Sequence, residues 1–327
     1  MTIDFADIEA AAQRIDGLAI RTPIIENQAL NDLLGLRVLI KPETLQRVGA
    51  FKFRGAFNRL SQIPTEGKAA GVVAFSSGNH AQGVALAARM LGMPSLIVMP
   101  SDAPQVKVDA TRGYGAEIRF YDRLKDDRIA IAAEIAQERG AVTVPAFDDY
   151  DVIAGQGTVG LELVQQAAER DLELDMFISP VGGGGLLAGA SLAVKTLSPG
   201  TLVVGVEPAA FDDTKISFES GVRQGISPTT RSLCDALESP APGELTFPIL
   251  QQTVKEIAVV TDAEVAAGMR LAFSTLKLVV EPGGVVALAA LLAKKVASAK
   301  RGQTVGLVLS GGNVDPELFA QVLRGDY

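Results

Sequence analysis

Short apolar runs alternate with amphipathic stretches along most of the chain. The runs at 72–75, 95–99 and 117–121 predict strands, and the stretches at 81–91 and 126–139 repeat apolar positions at helical spacing. Strands that alternate with helices of this length indicate βαβ units and a parallel sheet. The sequence therefore predicts an α/β fold built on parallel strands.

The same pattern resumes after a polar loop at 147–151 and continues to the end of the chain. A weakly periodic region at 214–247, with several Gly, Ser and Pro residues, is predicted to be a long surface loop. The remaining predicted helices cover 7–15, 53–60, 157–168, 262–276 and 283–297, and the remaining predicted strands cover 36–41, 176–181, 202–206, 256–260 and 305–309.

Composition narrows the class of protein. The 327 residues are 48% apolar and 21% charged, with a net charge of -8. This balance indicates a globular protein and argues against nucleic acid as a partner, because no basic stretch neutralises phosphates. The acidic N-terminus is unlike a signal peptide, and no apolar run reaches the roughly 18 residues of a membrane helix. We therefore expect a cytoplasmic protein with no membrane partner.

The single cysteine, Cys234, excludes an internal disulfide and a cysteine-rich metal cluster. The single histidine, His80, argues against a histidine-based catalytic triad or a histidine-rich zinc site.

Lys52 lies in the stretch GAFKFRGA, residues 49–56, between small residues and directly after Phe51. A lysine that must reach a flat carbonyl cofactor needs little bulk nearby and an apolar wall. Burial lowers the pKa of a lysine, and the neutral amine is the nucleophile that forms a Schiff base. The alternative interpretation is a surface lysine at the start of a helix.

Four consecutive glycines, residues 182–185, follow a predicted strand and precede a helical run. Successive backbone N–H groups and the helix N-terminus favour an anion there, so the tetraglycine loop is predicted to hold a phosphate. It lacks the Gly-Lys-Ser/Thr ending of a nucleotide-binding loop and the spacing of the dinucleotide fingerprint. The alternative is a flexible strand–helix turn.

Two further polar turns end predicted strands, SSGNH at 76–80 and SGGN at 310–313. Ligands in open α/β sheets gather at the carboxyl edge of the strands. The first turn offers hydroxyls and free N–H groups that suit a carboxylate, although an ordinary helix cap would have the same sequence.

The four motifs occur in an order and at separations that resemble the fold-type-II pyridoxal-phosphate enzymes. More narrowly, the chain resembles the threonine/serine dehydratase and serine racemase group, from Ile8 to Leu323. The residues after Lys52 favour the dehydratases over cysteine and threonine synthases, in which Lys-Asp-Arg is usual.

The resemblance implies two open, parallel-type sheets of the tryptophan-synthase-β-like kind. A large domain would comprise residues 1–70 and 150–327, and a small domain residues 71–149. The C-terminal regulatory domain of the long dehydratases is not expected.

The resemblance also implies a role for each site residue. Lys52 would bind pyridoxal phosphate and act as the base at Cα, and Phe51 would lie against the pyridine ring. The other cofactor-binding residues would be Asn79 at the ring hydroxyl, Gly182, Gly183, Gly184, Gly185 and the N–H of Leu186 at the phosphate, Glu281 near the ring, and Ser310 at the pyridine nitrogen. A neutral hydroxyl at that nitrogen favours elimination over transamination. For Glu281, a helix-start carboxylate is the alternative.

Substrate contacts follow from the same resemblance. Ser76, Ser77, Gly78 and His80 would frame the substrate carboxylate, and Arg128 matches a gating arginine of the racemases. Ser77 would also be the acid/base on the ring face opposite Lys52.

A divalent cation site is implied by Glu207, the carbonyl of Phe211 and Asp213, at the spacing i, i+4, i+6. Such oxygen ligands suit Mg²⁺, Ca²⁺ or Mn²⁺. The alternative is a pair of solvated acids in a loop.

The resulting hypothesis is a pyridoxal-phosphate-dependent ammonia-lyase that converts L-threonine or L-serine to a 2-oxo acid and ammonia. A 3-hydroxyaspartate dehydratase, a serine racemase and a β-replacement synthase are alternatives on the same scaffold, and a non-catalytic amino-acid-binding protein is a more remote one. The resemblance also implies a homodimer. Residues 147–149 replace an asparagine-containing loop of the racemases, so the resemblance gives no prediction about nucleotide activation.

Overall fold

Two parallel β-sheets form the framework of the molecule. The structure is a computed structural model that describes residues 2–76, 78–103, 105–123 and 125–327. The strands are β1 Arg37–Pro42, β2 Val72–Phe75, β3 Ser95–Pro100, β4 Glu117–Tyr121, β5 Val142–Thr143, β6 Met176–Pro180, β7 Leu202–Pro208, β8 Glu256–Val260 and β9 Thr304–Leu309. One sheet has the order β1-β9-β6-β7-β8 and the other β4-β3-β2-β5, and every pairing in both sheets is parallel.

Helices cover both faces of each sheet. They are α1 Phe5–Ile15, α2 Gln28–Leu34, α3 Lys52–Ser61, α4 Thr65–Lys68, α5 Asn79–Met90, α6 Gln105–Gly113, α7 Arg128–Arg139, α8 Tyr150–Ala168, α9 Gly185–Leu197, α10 Asp213–Ser220, α11 Thr246–Thr253, α12 Asp262–Leu271, α13 Pro282–Leu292 and α14 Pro316–Arg324. Among the described residues, no helix combines the length and apolar character that spanning a bilayer requires.

Alternate side chains of each strand enter different cores. In β6, Met176 and Ile178 pack with α12 and α13, whereas Phe177 packs with α8 and α9 on the other face. In β3, Ile97 packs with α3 and α5, whereas Val98 packs with α7. Burial on both faces explains why the strands appear as continuous apolar runs in the sequence.

The largest boundary error concerns α8, which begins at Tyr150 rather than at residue 157. Asp149 caps the helix, since its carboxylate accepts the N–H of Val152 at 2.9 Å. Glycines in the first turns made this segment look unlike a helix. They are needed for close packing, because a Cβ on Gly155 would lie 2.6 Å from the Cα of Gly55 in α3.

Three other predictions from periodicity were wrong. The predicted loop at 214–247 contains most of α10 and the first two residues of α11. The predicted helix at 262–276 is α-helical only to Leu271, and Ala272–Leu276 continues as a π-helix. The predicted helix at 283–297 is Pro282–Leu292. Helices α2, α4 and α14 and strand β5 were not predicted.

Candidate active site

The predicted site motifs meet at the carboxyl edges of the two sheets. The N–H of Phe51 donates to the carbonyl of Ser310 at 3.1 Å, which joins the segment before α3 to the turn after β9. Asn313 Nδ2 donates to Asn79 Oδ1 at 2.8 Å, which joins that turn to the start of α5. The SGGN turn therefore links the lysine segment with the polar turn after β2.

Lys52 is the first residue of α3, and its amine points to the segment after β5. Lys52 Nζ donates to the carbonyl of Ala146 at 2.6 Å and lies 5.2 Å from the centroid of the Phe51 ring. Burial lowers the pKa of Lys52 to about 8, although the nearby Glu281 carboxylate opposes this shift. Part of the Lys52 population is therefore the neutral, nucleophilic amine near neutral pH. The residue is half-buried and its amine is hydrogen-bonded to the protein, which favours the nucleophile over a solvated surface lysine.

An ionic cluster lies two residues beyond Lys52 and is inaccessible to solvent at its centre. Arg54 donates to Glu43 Oε2 at 2.7 Å and to Glu162 Oε1 at 2.6 Å, and Lys41 donates to Glu162 Oε2 at 2.6 Å. The side chains of Arg54, Glu43 and Lys41 are fully buried. This cluster fixes the first turn of α3 and therefore the backbone that carries Lys52.

Asn79 and Glu281 form the polar wall beside Lys52. Asn79 Nδ2 donates to Glu281 Oε1, and the Cβ of any residue other than glycine at position 311 would collide with that same oxygen. Burial raises the pKa of Glu281 to about 7, with Asp235 adding to the effect and Lys107 opposing it. The structure thus brings Glu281 close to Lys52. The sequence alone did not decide between an acid near the cofactor and an ordinary carboxylate at a helix start.

The tetraglycine loop runs from the end of β6 into α9, which begins at Gly185. Gly184 has φ of +95°, a conformation that favours glycine. Within the described part of the chain, the N–H groups of Gly182, Gly183 and Gly184 have no hydrogen-bond acceptor, and the first N–H groups of a helix such as α9 have none within the helix. These donors form a cradle for an anion.

His80 is buried beside Lys52 and is held in one orientation. Its Nε2 lies 2.9 Å from the carbonyl of Val144, so Nε2 carries the proton, and Nδ1 has no partner among the described residues. Burial and the charge of Lys52 lower the pKa of His80 to about 3, so the ring is neutral. A neutral ring with a free acceptor offers no positive charge to a carboxylate. The groups that remain for binding the substrate carboxylate are the N–H groups at the start of α5.

The other predicted substrate residues are placed differently. Ser76 and Gly78 lie together in the turn before α5, where Ser76 Oγ accepts the N–H of Gly78 at 3.2 Å. Ser77 lies outside the described residues. Arg128 begins α7 and is exposed, with its guanidinium carbon 5.6 Å from the ring centroid of Phe75 at the end of β2.

The predicted cation site is separate from Lys52, at the end of β7 and the start of α10. Glu207 accepts the N–H groups of Thr214 at 3.0 Å and Lys215 at 2.8 Å, and neither Asp213 oxygen has a partner among the described atoms. Burial, followed by the charge of Asp213, raises the pKa of Glu207, and burial raises that of Asp213 to about 7. Both side chains are buried, so the alternative of solvated acids is excluded.

The sequence missed the segment that connects these parts, residues 144–149. Val144 and Ala146 hold His80 and Lys52 by their carbonyls, and a Cβ on Gly183 would collide with the Phe147 ring. Asp148 accepts the N–H groups of Glu244 and Leu245. Backbone carbonyls leave no signal in a sequence, although the Asp-Asp pair in a polar loop could have marked this turn as ordered.

A second missed feature is an ion pair between elements of the two sheets. Lys107 Nζ of α6 lies 2.5 Å from Asp235 Oδ2, in a turn that packs beside the tetraglycine loop and the start of α13. Its partners are 128 residues apart in the chain, so no local pattern predicts it.

Comparison with known proteins agrees with this geometry. Residues 15–311 match the family model of the pyridoxal-phosphate dependent enzymes. The chain therefore belongs to the pyridoxal-phosphate-dependent enzyme family.

Individual relatives narrow the group. The chain is 46% identical over 321 residues to the L-threo-3-hydroxyaspartate ammonia-lyase of Pseudomonas sp, with 98% of each chain covered. It is 40% identical over 319 residues to the serine racemase of Schizosaccharomyces pombe, with 98% of this chain and 97% of that one covered. The crystal structure of the threonine deaminase of T.th. matches with a TM-score of 0.89 at 44% identity, covering 96% of this chain and 99% of that one.

These matches confirm the predicted fold class, the pyridoxal-phosphate cofactor and the assignment to an enzyme of the ammonia-lyase and serine racemase group. The domain boundaries and the roles of individual residues stay predictions.

Proposed function

We propose that this protein catalyses β-elimination of water from a β-hydroxy amino acid, with L-threo-3-hydroxyaspartate as the preferred substrate. The observation that carries the reaction class is the half-buried Lys52 amine, which donates to the Ala146 carbonyl, interacts with the Glu281 carboxylate and has a lowered pKa. The highest identity among the relatives described above is to an L-threo-3-hydroxyaspartate ammonia-lyase.

The residues present fit pyridoxal phosphate. The tetraglycine loop offers N–H donors without acceptors among the described residues, in a loop where a Cβ on Gly183 would collide with the Phe147 ring. Lys52 offers an amine whose pKa of about 8 leaves a useful neutral fraction. We assign the phosphate to Gly182–Gly185 and the N–H of Leu186, the ring environment to Phe51, Asn79, Glu281 and Ser310, and the covalent link to Lys52.

When bound, the cofactor supplies an electron sink for the carbanion at Cα. Lys52 removes the Cα proton at Nζ, and the Ala146 carbonyl orients that amine whenever it is not joined to the cofactor. The N–H groups at the start of α5 bind the α-carboxylate. The neutral His80 ring is a hydrogen-bond acceptor beside Lys52. The β-hydroxyl departs with one proton as water, and the released enamine takes up water to give a 2-oxo acid and ammonia.

A dicarboxylic substrate needs a positively charged group for its second carboxylate, in addition to the N–H groups at α5 that bind the first. Arg128 supports this choice, because it lies against Phe75, directly before Ser76 and the polar turn. L-Threonine and L-serine are the competing substrates, and they gain nothing from this charge. Serine racemisation would depend on Ser77 as the second acid/base, and an intact Lys52 site argues against a non-catalytic binding protein.

We also propose that Glu207, Asp213 and the carbonyl of Phe211 hold a divalent cation. Two buried carboxylates, one without any partner among the described atoms, are costly unless a positive charge lies between them. Carboxylate and carbonyl oxygens suit Mg²⁺, Ca²⁺ or Mn²⁺. Among the described residues, no three His, Cys, Asp or Glu side chains lie close enough together to hold a metal ion, so this site would depend on backbone oxygen and water. A homodimer and a cytoplasmic location stay predictions.

The substrate proposal is tested by release of 2-oxo acid from L-threo-3-hydroxyaspartate and from L-serine by Arg128→Met. Loss of the Arg128 guanidinium should lower kcat/KM for hydroxyaspartate by about tenfold or more. It should change kcat/KM for L-serine by less than about threefold. Arg139→Met is the matched control, because Arg139 lies in the same helix and pairs with the exposed Glu117. An equal loss for both substrates would contradict the assignment of Arg128 to the second carboxylate.

A further inference from the structure

One carbonyl of the tetraglycine loop is held by two donors on the side away from the cradle. The carbonyl of Gly183 accepts the Thr246 hydroxyl at 2.7 Å and the N–H of Gly243 at 3.0 Å. Thr246 is completely buried, so no water replaces its hydroxyl. The direction of the Gly183 carbonyl is therefore fixed by the turn formed by residues 243–246.

That direction also fixes the next N–H group. In a trans peptide the carbonyl of one residue and the N–H of the next point in opposite directions. With the Gly183 carbonyl directed to Thr246, the N–H of Gly184 points away from Thr246, and no described atom accepts it. The φ of +95° at Gly184 allows this orientation.

Asp148 in turn holds the residues 243–246. Its Oδ1 accepts the N–H of Leu245 at 2.8 Å and its Oδ2 accepts the N–H of Glu244 at 3.0 Å. Asp148 lies two residues after Ala146, the acceptor of the Lys52 amine. The segment that orients the nucleophile therefore also supports the turn that orients the anion cradle.

We propose that Asp148 and Thr246 are positioning residues for the cofactor phosphate. They act through the Gly183 carbonyl, which keeps the N–H of Gly184 directed into the cradle as a donor to the phosphate. Neither residue belongs to the tetraglycine loop, and neither was predicted from the sequence to have a role at the phosphate. The inference rests on the proposed assignment of Gly182–Gly185 as the phosphate loop.

The test compares two cofactor forms that differ only in the phosphate. Dissociation constants of pyridoxal phosphate and of pyridoxal are measured by absorbance titration of the full-length protein freed of cofactor. In Thr246→Val and in Asp148→Asn, affinity for pyridoxal phosphate should fall about tenfold, the effect of one hydrogen bond of roughly 1.4 kcal/mol. Affinity for pyridoxal should change less than twofold, because Lys52 and the ring contacts remain.

Three further variants provide the controls. Thr246→Ser keeps the hydroxyl and should restore affinity for pyridoxal phosphate. Thr201→Val removes a buried hydroxyl that donates to the Leu174 carbonyl, and Asp315→Asn weakens a cap on α14 that accepts two N–H groups. Both should bind pyridoxal phosphate as the unmodified protein does.

Each outcome has a separate meaning. Equal losses for pyridoxal phosphate and pyridoxal, or no loss for either, would overturn the positioning role of Asp148 and Thr246. If Thr246→Val does not fold, failure of Thr246→Ser or Asp148→Asn to follow the expected pattern would overturn it equally. If the unmodified protein binds both forms with the same affinity, the phosphate-loop assignment itself is wrong.

Discussion

Replacing Glu43 by Gln should destabilise the protein more than any substitution of a surface ion pair. Glu43 accepts Arg54 through both oxygens, at 2.7 and 2.9 Å, and the Thr22 hydroxyl at 2.7 Å. Burial alone would raise the pKa of Glu43, but Arg54 and Lys41 outweigh burial and lower it overall. The folded protein therefore depends on this carboxylate being ionised.

The expected loss of unfolding free energy in Glu43→Gln follows from the charges of the ionic cluster. Lys41 and Arg54 carry two positive charges, and Glu43 and Glu162 carry two negative charges, so the cluster is neutral. Gln at position 43 leaves one excess positive charge, fully buried, and directs amide N–H groups toward Arg54. Removing one partner of a buried pair costs about 3–5 kcal/mol in unfolding free energy.

The assay is urea unfolding of the holoenzyme at pH 7.5 and fixed cofactor concentration. Because the folded pKa of Glu43 is below its ordinary value of 4.5, its contribution is complete at pH 7.5 and is lost only as the pH falls into the acid range. Glu169→Gln is the matched control, since its pair with Arg21 is 2.6 Å long but half exposed. That variant should lose about 0–1 kcal/mol. A loss below 1 kcal/mol for Glu43→Gln, equal to the control, would refute the reasoning.

Three further predictions concern the site itself. The rate at which cofactor-free protein captures pyridoxal phosphate should rise with pH through about 8 and then level off, because the neutral form of Lys52 reacts; a rise that continues to pH 10 would contradict the lowered pKa. Gly311→Ala should release the cofactor on dialysis, because its Cβ would collide with Glu281 Oε1, whereas Gly302→Ala, at an open position with φ of +86°, should retain it. Adding Mg²⁺ after chelation should raise Tm in the unmodified protein by several degrees but not in Asp213→Asn, whereas equal shifts in both would exclude this cation site.

The periodicity of the chain predicted most strands and the parallel sheets, because strands buried on both faces appear as apolar runs. Prediction from periodicity failed where tertiary packing overrides the helix propensity of the residues. The glycines of α8 lower helix propensity, yet Gly155 and Gly160 are the residues that let α8 approach α3 and α9. Helix α10 was missed because its eight residues lack a regular apolar pattern.

Some features of the candidate site were likewise predictable from the sequence, and others were not. Lys52 and the tetraglycine loop were predictable from the sequence. A covalent link to a carbonyl cofactor requires a lysine amine, and a loop of converging N–H groups requires glycines. The neutral state of His80 was not predictable, because it depends on burial and on the nearby charge of Lys52. The contacts of Ala146 and Asp148 come from backbone geometry across more than 90 residues of sequence, which no local pattern records.

We propose that Lys52 drives elimination from a β-hydroxy dicarboxylic amino acid. The most direct measurement is release of 2-oxo acid and ammonia by the unmodified protein and by Lys52→Ala. The substrates are L-threo-3-hydroxyaspartate, L-threonine, L-serine and D-serine. We expect the fastest release from L-threo-3-hydroxyaspartate and none from any substrate with Lys52→Ala. Full turnover by Lys52→Ala, or no release from any substrate by the unmodified protein, would contradict it.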